Sequence, residues 1–235
     1  ATGAVIYIGK SPINGTEIVA IISGLKKPSE NAKTGGMAQI DIISAEMHPF
    51  EAQKTGADEA VCGNCPLRNQ ECYVKVNFAA SSKYRKLMRN TYLFMTPELI
   101  GFILRERQIN VRFGSYGDPA MLPFELIDTI ISTSGRNHTS YTHQWMEPFF
   151  DSRHLKYSMA SIDYDNTLEK LRSFHPDARY YRIVENYNDL TTEEIRCPSD
   201  SKKLNSDGKR KVTCDSCGLC AGSGKQAKNI VIVEE

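Results

Sequence analysis

The seven cysteines of this chain fall into two groups that could each hold a metal centre. The members are Cys62, Cys65 and Cys72 in the first group and Cys197, Cys214, Cys217 and Cys220 in the second. Short, polar, glycine-containing stretches surround them, "VCGNCPLRNQECYV" in one case and "CDSCGLC" in the other. An odd number of clustered cysteines makes a poor disulfide framework, so the spacing predicts metal-binding thiolates in a reducing compartment.

The second group has the spacing of an iron–sulfur centre. Three thiols follow one another at two-residue gaps, and the remote Cys197 precedes Pro198, which resembles the ligand pattern of bacterial ferredoxins. Zinc is the alternative, because four thiolates also suit tetrahedral Zn²⁺. Zinc ribbons usually pair two Cys-x-x-Cys knuckles, however, and this spacing leaves one knuckle badly formed. The pattern therefore favours a [4Fe–4S] cluster over zinc.

The first group supplies three thiolates only, which would leave one iron of a cluster open to substrate, to a cofactor or to a non-cysteine ligand. A zinc ion completed by a histidine such as His48 is an alternative, and so is a single centre that draws cysteines from both groups. Seven thiolates exceed the four that one cubane cluster uses, so the count favours two centres.

The elements that must position these cysteines alternate between strands and helices. Short β-branched runs such as "AVIYIG", "EIVAIIS" and "MAQIDIIS" predict β structure over residues 1–45. "TPELIGFILRERQ" predicts a helix that Thr96 caps and Pro97 begins, and "DPAMLPFELIDTIISTSG" predicts a loop and helix that Gly135 ends. Further predicted strands are "INVRFGSYG", "NHTSYTHQW", "KYSMASID" and "RYYRIVE".

Strands separated by helices of this length indicate parallel β/α units, so the expected fold class is α/β, a partial barrel or an open sheet. We expect two domains, with residues 1–185 forming the β/α domain that carries the first cysteine loop. Residues 186–235 contain few apolar residues apart from a returning strand, "IVIVEE", and bound metal would have to order them.

Polar side chains follow three of the predicted strands. They are Arg112, Tyr116 and Asp118, then Tyr141, Thr142, His143, Gln144 and Trp145, then Ser158, Ser161 and Asp163. The carboxyl ends of parallel strands form the site in β/α folds, which predicts one pocket facing the open iron. Asp118 and His143 are the candidates for proton transfer. Taken singly, Asp118 also fits a turn and Trp145 also fits core packing.

Composition points to no particular partner class. The net charge is +1, although the basic stretch "SSKYRKLMRN" and five basic residues near the C-terminus leave a nucleic-acid contact open beside a solvated surface. Those five are Lys202, Lys203, Lys209, Arg210 and Lys211. The longest apolar run is too short to span a bilayer and the first residues lack a signal-peptide pattern, so we expect a cytoplasmic protein without a membrane partner. An electron donor or a small-molecule substrate is the expected partner.

Several blocks resemble, in the same order, an uncharacterised phage-borne family often called gene-product-88-like. The blocks are "KTGGMAQIDIIS", "ADEAVCGNCPLRNQECYV", "VRFGSYGDPAMLP", "YTHQW", "SMASID" and "CPSD…CDSCGLCAG…IVIV", within residues 33–233. The resemblance implies a phage-encoded iron–sulfur protein in the host cytoplasm during infection, without a reaction. Family members often have His-Arg where this chain has Leu67-Arg68.

A three-cysteine loop before parallel β/α units, with a four-cysteine centre near the C-terminus, is also similar to radical S-adenosylmethionine enzymes with an auxiliary cluster. That similarity implies redox or radical chemistry and S-adenosylmethionine as a cofactor. The spacing departs from the typical C-x₃-C-x₂-C, being C-x₂-C-x₆-C here, which argues against S-adenosylmethionine. A non-enzymatic electron carrier and a zinc- or cluster-stabilised module that binds nucleic acid or protein are the rival functions.

Overall fold

The structure, a computed structural model, describes residues 3–68, 72, 74–163, 165–200, 206, 208 and 210–233. Within these ranges the strands are β1 (Gly3–Lys10), β2 (Glu17–Ser23), β3 (Ala38–Ser44), β4 (Leu93–Phe94), β5 (Val111–Tyr116), β6 (His138–Thr139), β7 (Tyr141–Thr142), β8 (Met159–Ile162), β9 (Tyr180–Val184), β10 (Glu194–Arg196) and β11 (Asn229–Val233). The α-helices are α1 (Pro49–Thr55), α2 (Glu59–Cys62), α3 (Ala79–Met88), α4 (Pro97–Glu106), α5 (Phe124–Ser134), α6 (Asp165–Phe174) and α7 (Cys214–Cys217).

The strands form two sheets, with the order β4-β1-β2-β3-β5-β6 in one and β10-β11-β9-β8-β7 in the other. β1, β2 and β3 confirm the β structure predicted for residues 1–45, and they pair antiparallel. The pairs β3–β5 and β5–β6 and every pair of the second sheet are parallel. The α/β prediction is confirmed, and the described strands do not close into a barrel.

The chain passes from the first sheet to the second through one buried residue, Ser140, between β6 and β7. The Ser140 amide donates to the carbonyl of Cys220 at 3.1 Å, and its hydroxyl lies 2.6 Å from that of Ser158. The predicted single strand "NHTSYTHQW" is therefore two two-residue strands in different sheets. This junction brings the strand ends next to the second cysteine group.

Local sequence signals explain the helices that were predicted. The Thr96 side chain accepts from the Leu99 amide at the start of α4, and Gly135 ends α5 in the left-handed conformation, with φ 57°. β11 returns to the second sheet, as predicted, and lies between β9 and β10. β10 and α1 were not predicted, because their short polar sequences lack clear periodicity.

The basic stretch before β4 is not one solvated face. Lys83 is buried on α3 and forms an ion pair with Asp41 of β3, whereas Arg85 and Lys86 are exposed. Lys202, Lys203 and Lys209 lie outside the described residues. None of the helices described is long and apolar enough to cross a membrane.

Candidate metal centres

The four thiols of the second cysteine group line one small pocket that is partly open to solvent. Pro198, Leu219 and Ile230 contribute apolar wall to it. Chain segments far apart in sequence meet here, since Cys197 follows β10 and the other three cysteines lie in or just after α7. The sequence-based grouping of these four cysteines therefore corresponds to one place in the fold.

Local hydrogen bonds position three of these cysteines. Thr213 caps α7 in a reciprocal arrangement with Ser216, and Gly218 ends this single turn with φ 60°. The Cys214 amide donates to the carbonyl of Lys33 at 2.9 Å, which docks the turn onto the loop before β3. The Cys197 amide donates to Val231 of β11 at 2.8 Å, so the fourth cysteine is attached to the sheet.

The polar groups at this cavity fit an electron-rich ligand. The Ser199 hydroxyl lies 3.3 Å from the Cys197 sulfur and 3.6 Å from the Cys214 sulfur. Thr139 also lines the cavity, and its hydroxyl is buried with no hydrogen-bond partner among the described residues. A buried hydroxyl without a partner is costly, so a bound group that accepts its hydrogen bond would stabilise the site.

Burial raises the pKa of the Cys220 thiol to about 12, and the nearby Cys197, Cys214 and Cys217 add to that rise. Burial also raises the pKa of Cys217. Without a cation these thiols therefore stay protonated at neutral pH. A coordinated metal ion reverses this situation, because it deprotonates the thiols that bind it.

Two basic residues that sequence reasoning missed support the second cysteine loop. The Arg179 guanidinium donates to the carbonyls of Leu219 and Gly222 at 2.9 and 3.0 Å, and the Lys225 ammonium donates to that of Gly218 at 2.8 Å. Their positive charge lies beside a group of potential thiolates. A sequence pattern does not distinguish such a buried arginine from an exposed one.

The three thiols of the first cysteine group also lie close together. Burial raises the pKa of Cys62 well above its usual value, and the Asp58 carboxylate, Cys65 and Cys72 raise it further. Burial raises the pKa of Cys72 as well, with Cys65 and Asp58 contributing. The loop therefore collects three mutually interacting thiols at the end of α2.

An ion pair that sequence reasoning did not identify holds this loop. The Arg68 guanidinium donates to the Asp58 carboxylate at 2.7 and 3.2 Å, and both side chains are largely buried. Arg68 also donates to the carbonyls of Gly63 and Gly56 at 2.8 and 2.7 Å. One side chain thereby connects the residues before α2 with the turn after it.

Gln144, which was predicted to line the pocket, holds the turn between Cys62 and Asn64. Its buried amide donates to the Cys62 carbonyl at 3.0 Å and accepts from the Asn64 amide at 3.2 Å. Gly63 has φ 57°, and a Cβ atom there would lie 2.1 Å from the Gln144 oxygen. The turn therefore requires glycine, both for its backbone conformation and for the close approach of Gln144.

Asp118 helps to hold the same cysteine loop in place. One carboxylate oxygen accepts from the Ala120 amide at 2.9 Å and the other from the His143 amide at 2.8 Å, while the Asp118 amide donates to Val61 at 2.7 Å. These contacts give Asp118 a positioning role between β5, α2 and β7. Proton transfer by Asp118 stays a prediction. The observed contacts favour the positioning role.

Tyr116 ends β5 beside the first cysteine group. Burial raises the pKa of its phenol, and the proximity of Cys62, Asp58 and Cys72 raises it further. Within the described ranges, its buried hydroxyl has no hydrogen-bond partner. This site therefore resembles the second one, since each contains an unsatisfied hydroxyl beside its thiols.

His143 lies beside the first cysteine group. Its Nδ1 lies 3.1 Å from an oxygen of Asp163, and the imidazole lies near the Cys65 thiol. Burial by itself lowers the pKa of His143, but the contacts with Asp163 and Cys65 outweigh burial and raise the pKa to about 10. The alternative histidine, His48, instead caps α1 by accepting from the Phe50 amide.

Five of the predicted pocket residues lie around the first cysteine group. These are Tyr116, Asp118, His143, Gln144 and Asp163. Arg112 instead lies near the start of β5, roughly 13 Å along the strand from Tyr116 at about 3.3 Å per residue. Trp145 donates to the carbonyl of Ser161 at 3.0 Å and packs in the second sheet's core, as its packing alternative predicted.

One short segment lies beside both cysteine groups. Tyr141 is close enough to Cys220 for the thiol to raise the pKa of the phenol, and His143 is close enough to Cys65 for the thiol to raise the pKa of the imidazole. The backbone between them spans roughly 7 Å at about 3.3 Å per residue. Burial raises the pKa of Tyr141 well above its usual value, and Cys220 and Cys214 add to the rise.

As the described side chains stand, no group of three or more His, Cys, Asp or Glu residues is arranged to hold a metal ion. Comparisons with protein-family models, curated proteins and solved structures find no match to this chain.

Proposed function

We propose that the chain is a redox protein with two iron–sulfur centres, one at each cysteine group, and that electrons pass between them. The observation that carries the proposal is the proximity of Tyr141 to Cys220 and of His143 to Cys65, since these two residues are only two positions apart. A structural metal would not need such a connection to a second site. The second centre then serves as the relay and the first as the site of reaction.

The arrangement of the second group supports a cluster rather than zinc. Tetrahedral zinc would need four sulfurs about 2.3 Å from a single ion. The four thiols here line one pocket, with the unsatisfied Thr139 hydroxyl at its wall. A cluster of several atoms spreads its thiolate ligands around its own core, and its sulfurs accept hydrogen bonds from groups such as this hydroxyl.

The roles of the chain's own residues follow from their contacts. When bound, an iron–sulfur cluster takes up and releases single electrons. Thr139 and Tyr116 would donate hydrogen bonds to the added negative charge, and Arg179 and Arg68 would offset it from the surrounding shell. Gln144 and Asp118 hold the first cysteine loop against β7, which keeps the two sites at a fixed separation. The resemblance to the phage family is consistent with a redox role in the host cytoplasm during infection.

Anaerobic purification with iron, sulfide and zinc assays tests the proposal. Two [4Fe–4S] clusters predict a brown protein with about eight irons per chain, and Cys72→Ser and Cys217→Ser should each lose roughly half of that iron. Reductive titration should then resolve two one-electron steps. A colourless protein that carries zinc would exclude the proposed function, and about four irons per chain would exclude a cluster at each group.

A further inference from the structure

We infer that the outer edge of the first sheet is a docking site for an extended segment of another protein, one that combines acidic with apolar side chains. The segment adds as a strand beside β4 and the uncovered part of β1. This interaction surface goes beyond the proposed function, because it involves neither cysteine group. It gives a role to the basic stretch "SSKYRKLMRN", whose Arg85 and Lys86 are exposed.

The edge of the first sheet is open along two strands. β4 is the terminal strand, and it pairs with β1 only through Leu93 and Phe94, opposite Ala4 and Val5. The residues that the structure describes place no strand on the outer side of β4, nor beside β1 between Val5 and its end at Lys10. Such an edge presents unpaired backbone N–H and C=O groups, with which an added strand can pair.

Apolar side chains at this edge face solvent. Leu93 and Phe94 form β4, Ile8 lies on the uncovered part of β1, and Leu99 and Phe102 share one face of α4, which begins three residues after Phe94. Their exposed fractions range from 46% for Leu99 to 65% for Leu93. Edge strands commonly carry charged residues or proline, whereas β4 consists of leucine and phenylalanine. Apolar residues that cluster in this way on a surface mark an interaction site.

The end of α3 brings positive charge to the same edge. Arg85 and Lys86 lie in the last turns of α3, Arg89 follows the helix directly, and all three are exposed. The Thr91 amide and hydroxyl donate to the Lys86 carbonyl at 3.1 and 2.9 Å, which folds the connection to β4 back against the helix end. These cations therefore lie within a few residues of the open edge.

The charges on α4 and β1 do not cancel those of α3. The exposed charged residues at α4 are Glu98, Arg105, Glu106 and Arg107. Glu106 lies 3.4 Å from Arg105, and Lys10 of β1 is opposite Glu17 of β2 in the strand register. Positive charge consequently predominates around the edge, and acidic side chains on a partner complement it.

This combination favours a protein strand over three other occupants. A second copy of the chain would bring the basic ends of two α3 helices towards one interface, where like charges repel. Nucleic acid would suit the cations and the phenylalanines, but bases do not stack on aliphatic side chains such as Leu93, Leu99 and Ile8. A lipid surface would leave the backbone groups of the edge without hydrogen-bond partners.

The first experiment selects binders from a library of random peptides, with the full-length protein as purified anaerobically. A Leu93→Ser, Phe94→Ser double variant serves for counter-selection. The enriched peptides should contain Asp or Glu together with apolar residues at alternating positions, because the side chains of an added strand have a period of two. Enriched peptides without acidic residues would overturn the inference, and so would an absence of peptides whose binding depends on Leu93 and Phe94.

Fluorescence anisotropy with a labelled peptide from this selection measures the contribution of the apolar residues. Phe94→Ser should raise the Kd at least about tenfold, because aromatic anchors carry much of the binding energy at such interfaces. Phe174→Ser is the matched control, since Phe174 is similarly exposed on α6, away from the edge. Equal Kd values for the wild type and Phe94→Ser would overturn the inference.

The contribution of charge is measured in the same assay. An Arg85→Glu, Lys86→Glu double variant should slow association with the peptide and reduce its dependence on salt. Lys170→Glu, which reverses an exposed charge on α6, is the control and should change neither. Unchanged association in the double variant would remove the α3 cations from the docking site and with them the requirement for an acidic partner.

Three further measurements examine the other occupants. Light scattering after size exclusion, anisotropy with a labelled single-stranded oligonucleotide, and sedimentation with phosphatidylserine vesicles should show a monomer that binds neither probe through this edge. A dimer that Phe94→Ser dissociates would assign the edge to a second copy. Oligonucleotide binding lost in the Arg85→Glu, Lys86→Glu variant, or vesicle binding lost in Phe94→Ser, would likewise overturn the inference. None of these results depends on iron, so a colourless protein would exclude the proposed function and leave the docking site in place.

Discussion

Tyr141 and His143 lie two residues apart at the edge of the second sheet, and they lie near cysteines of different groups. Tyr141 is near Cys220, while His143 is near Cys65. Since β7 begins directly after the buried Ser140, this separation is set by the junction between the two sheets. The segment consequently provides a covalent path between the two sites.

Tyr141→Phe removes the hydroxyl near Cys220 and retains the ring that packs edge-on against Tyr181, with 5.1 Å between the ring centroids. We expect an unchanged iron content, a lower midpoint potential for the second centre and slower electron exchange between the centres, because a hydrogen bond to a cysteine sulfur stabilises the reduced form. Potentiometric titration and rapid-mixing reduction measure these quantities. Tyr157→Phe, which removes a hydroxyl bound to Asp128, is the control and should change neither. An unchanged potential in Tyr141→Phe would contradict this role.

Gln144→Leu should disrupt the first centre selectively. It leaves the Cys62 carbonyl and the Asn64 amide without their partner in a partly buried site, which costs about 1–2 kcal/mol of unfolding free energy. We expect roughly half of the iron to be lost, with the signal of the second centre retained. Denaturant unfolding and iron assays measure the two effects.

Asn64→Ala is the matched control for this prediction. It removes only the exposed contact of the Asn64 side chain with Glu147 and keeps the backbone amide that Gln144 accepts from. Its stability should change by less than about 0.5 kcal/mol, which is usual for surface substitutions. Equal iron loss in both variants would show that the Gln144 contacts are not what holds the first cysteine loop.

Thr139→Val tests whether the unsatisfied hydroxyl at the second cavity serves a bound cluster. The substitution keeps the shape of the side chain and removes only its hydrogen-bond donor. The midpoint potential of the second centre should fall, because the donor stabilises the more negative reduced cluster, and Thr139→Ser should restore it. Equal potentials in all three proteins would mean that the hydroxyl does not contact the cluster.

The buried His138 makes stability depend on pH. Burial lowers its pKa from 6.5 to about 4, while its Nε2 lies 3.1 Å from the Tyr157 carbonyl. Between these two pKa values the unfolded chain binds more protons than the folded chain, so acidification favours unfolding. From pH 7.5 to pH 5 this group should cost about 2 kcal/mol of unfolding free energy.

Denaturant unfolding at both pH values checks this expectation, and His138→Gln is the comparison. Glutamine can still donate to the Tyr157 carbonyl but does not titrate in this range. The wild type should therefore lose about 2 kcal/mol more than His138→Gln on acidification. An equal loss in the two proteins would assign the pH dependence to other groups.

Much of the fold follows from signals that are local in the chain. The capped helix α4, the glycine that ends α5 and the β-branched strands β1 to β3 depend on neighbouring residues, so their positions could be predicted. The cysteine grouping is local too, because Cys214, Cys217 and Cys220 lie around one helical turn. The two-residue strands β6 and β7 were beyond prediction, because pairing with separate sheets defines them.

The sequence by itself determined which residues could form the centres, the division of the thiols into three and four, and the α/β class. Only the tertiary structure decided that His143 rather than His48 approaches the three thiols, and that Arg112 lies away from them. It also decided that Arg68, Arg179 and Gln144 hold the cysteine loops. The physical reason is that each of these contacts joins groups through space, at distances set by sheet pairing and burial, and side-chain type and spacing do not encode such distances.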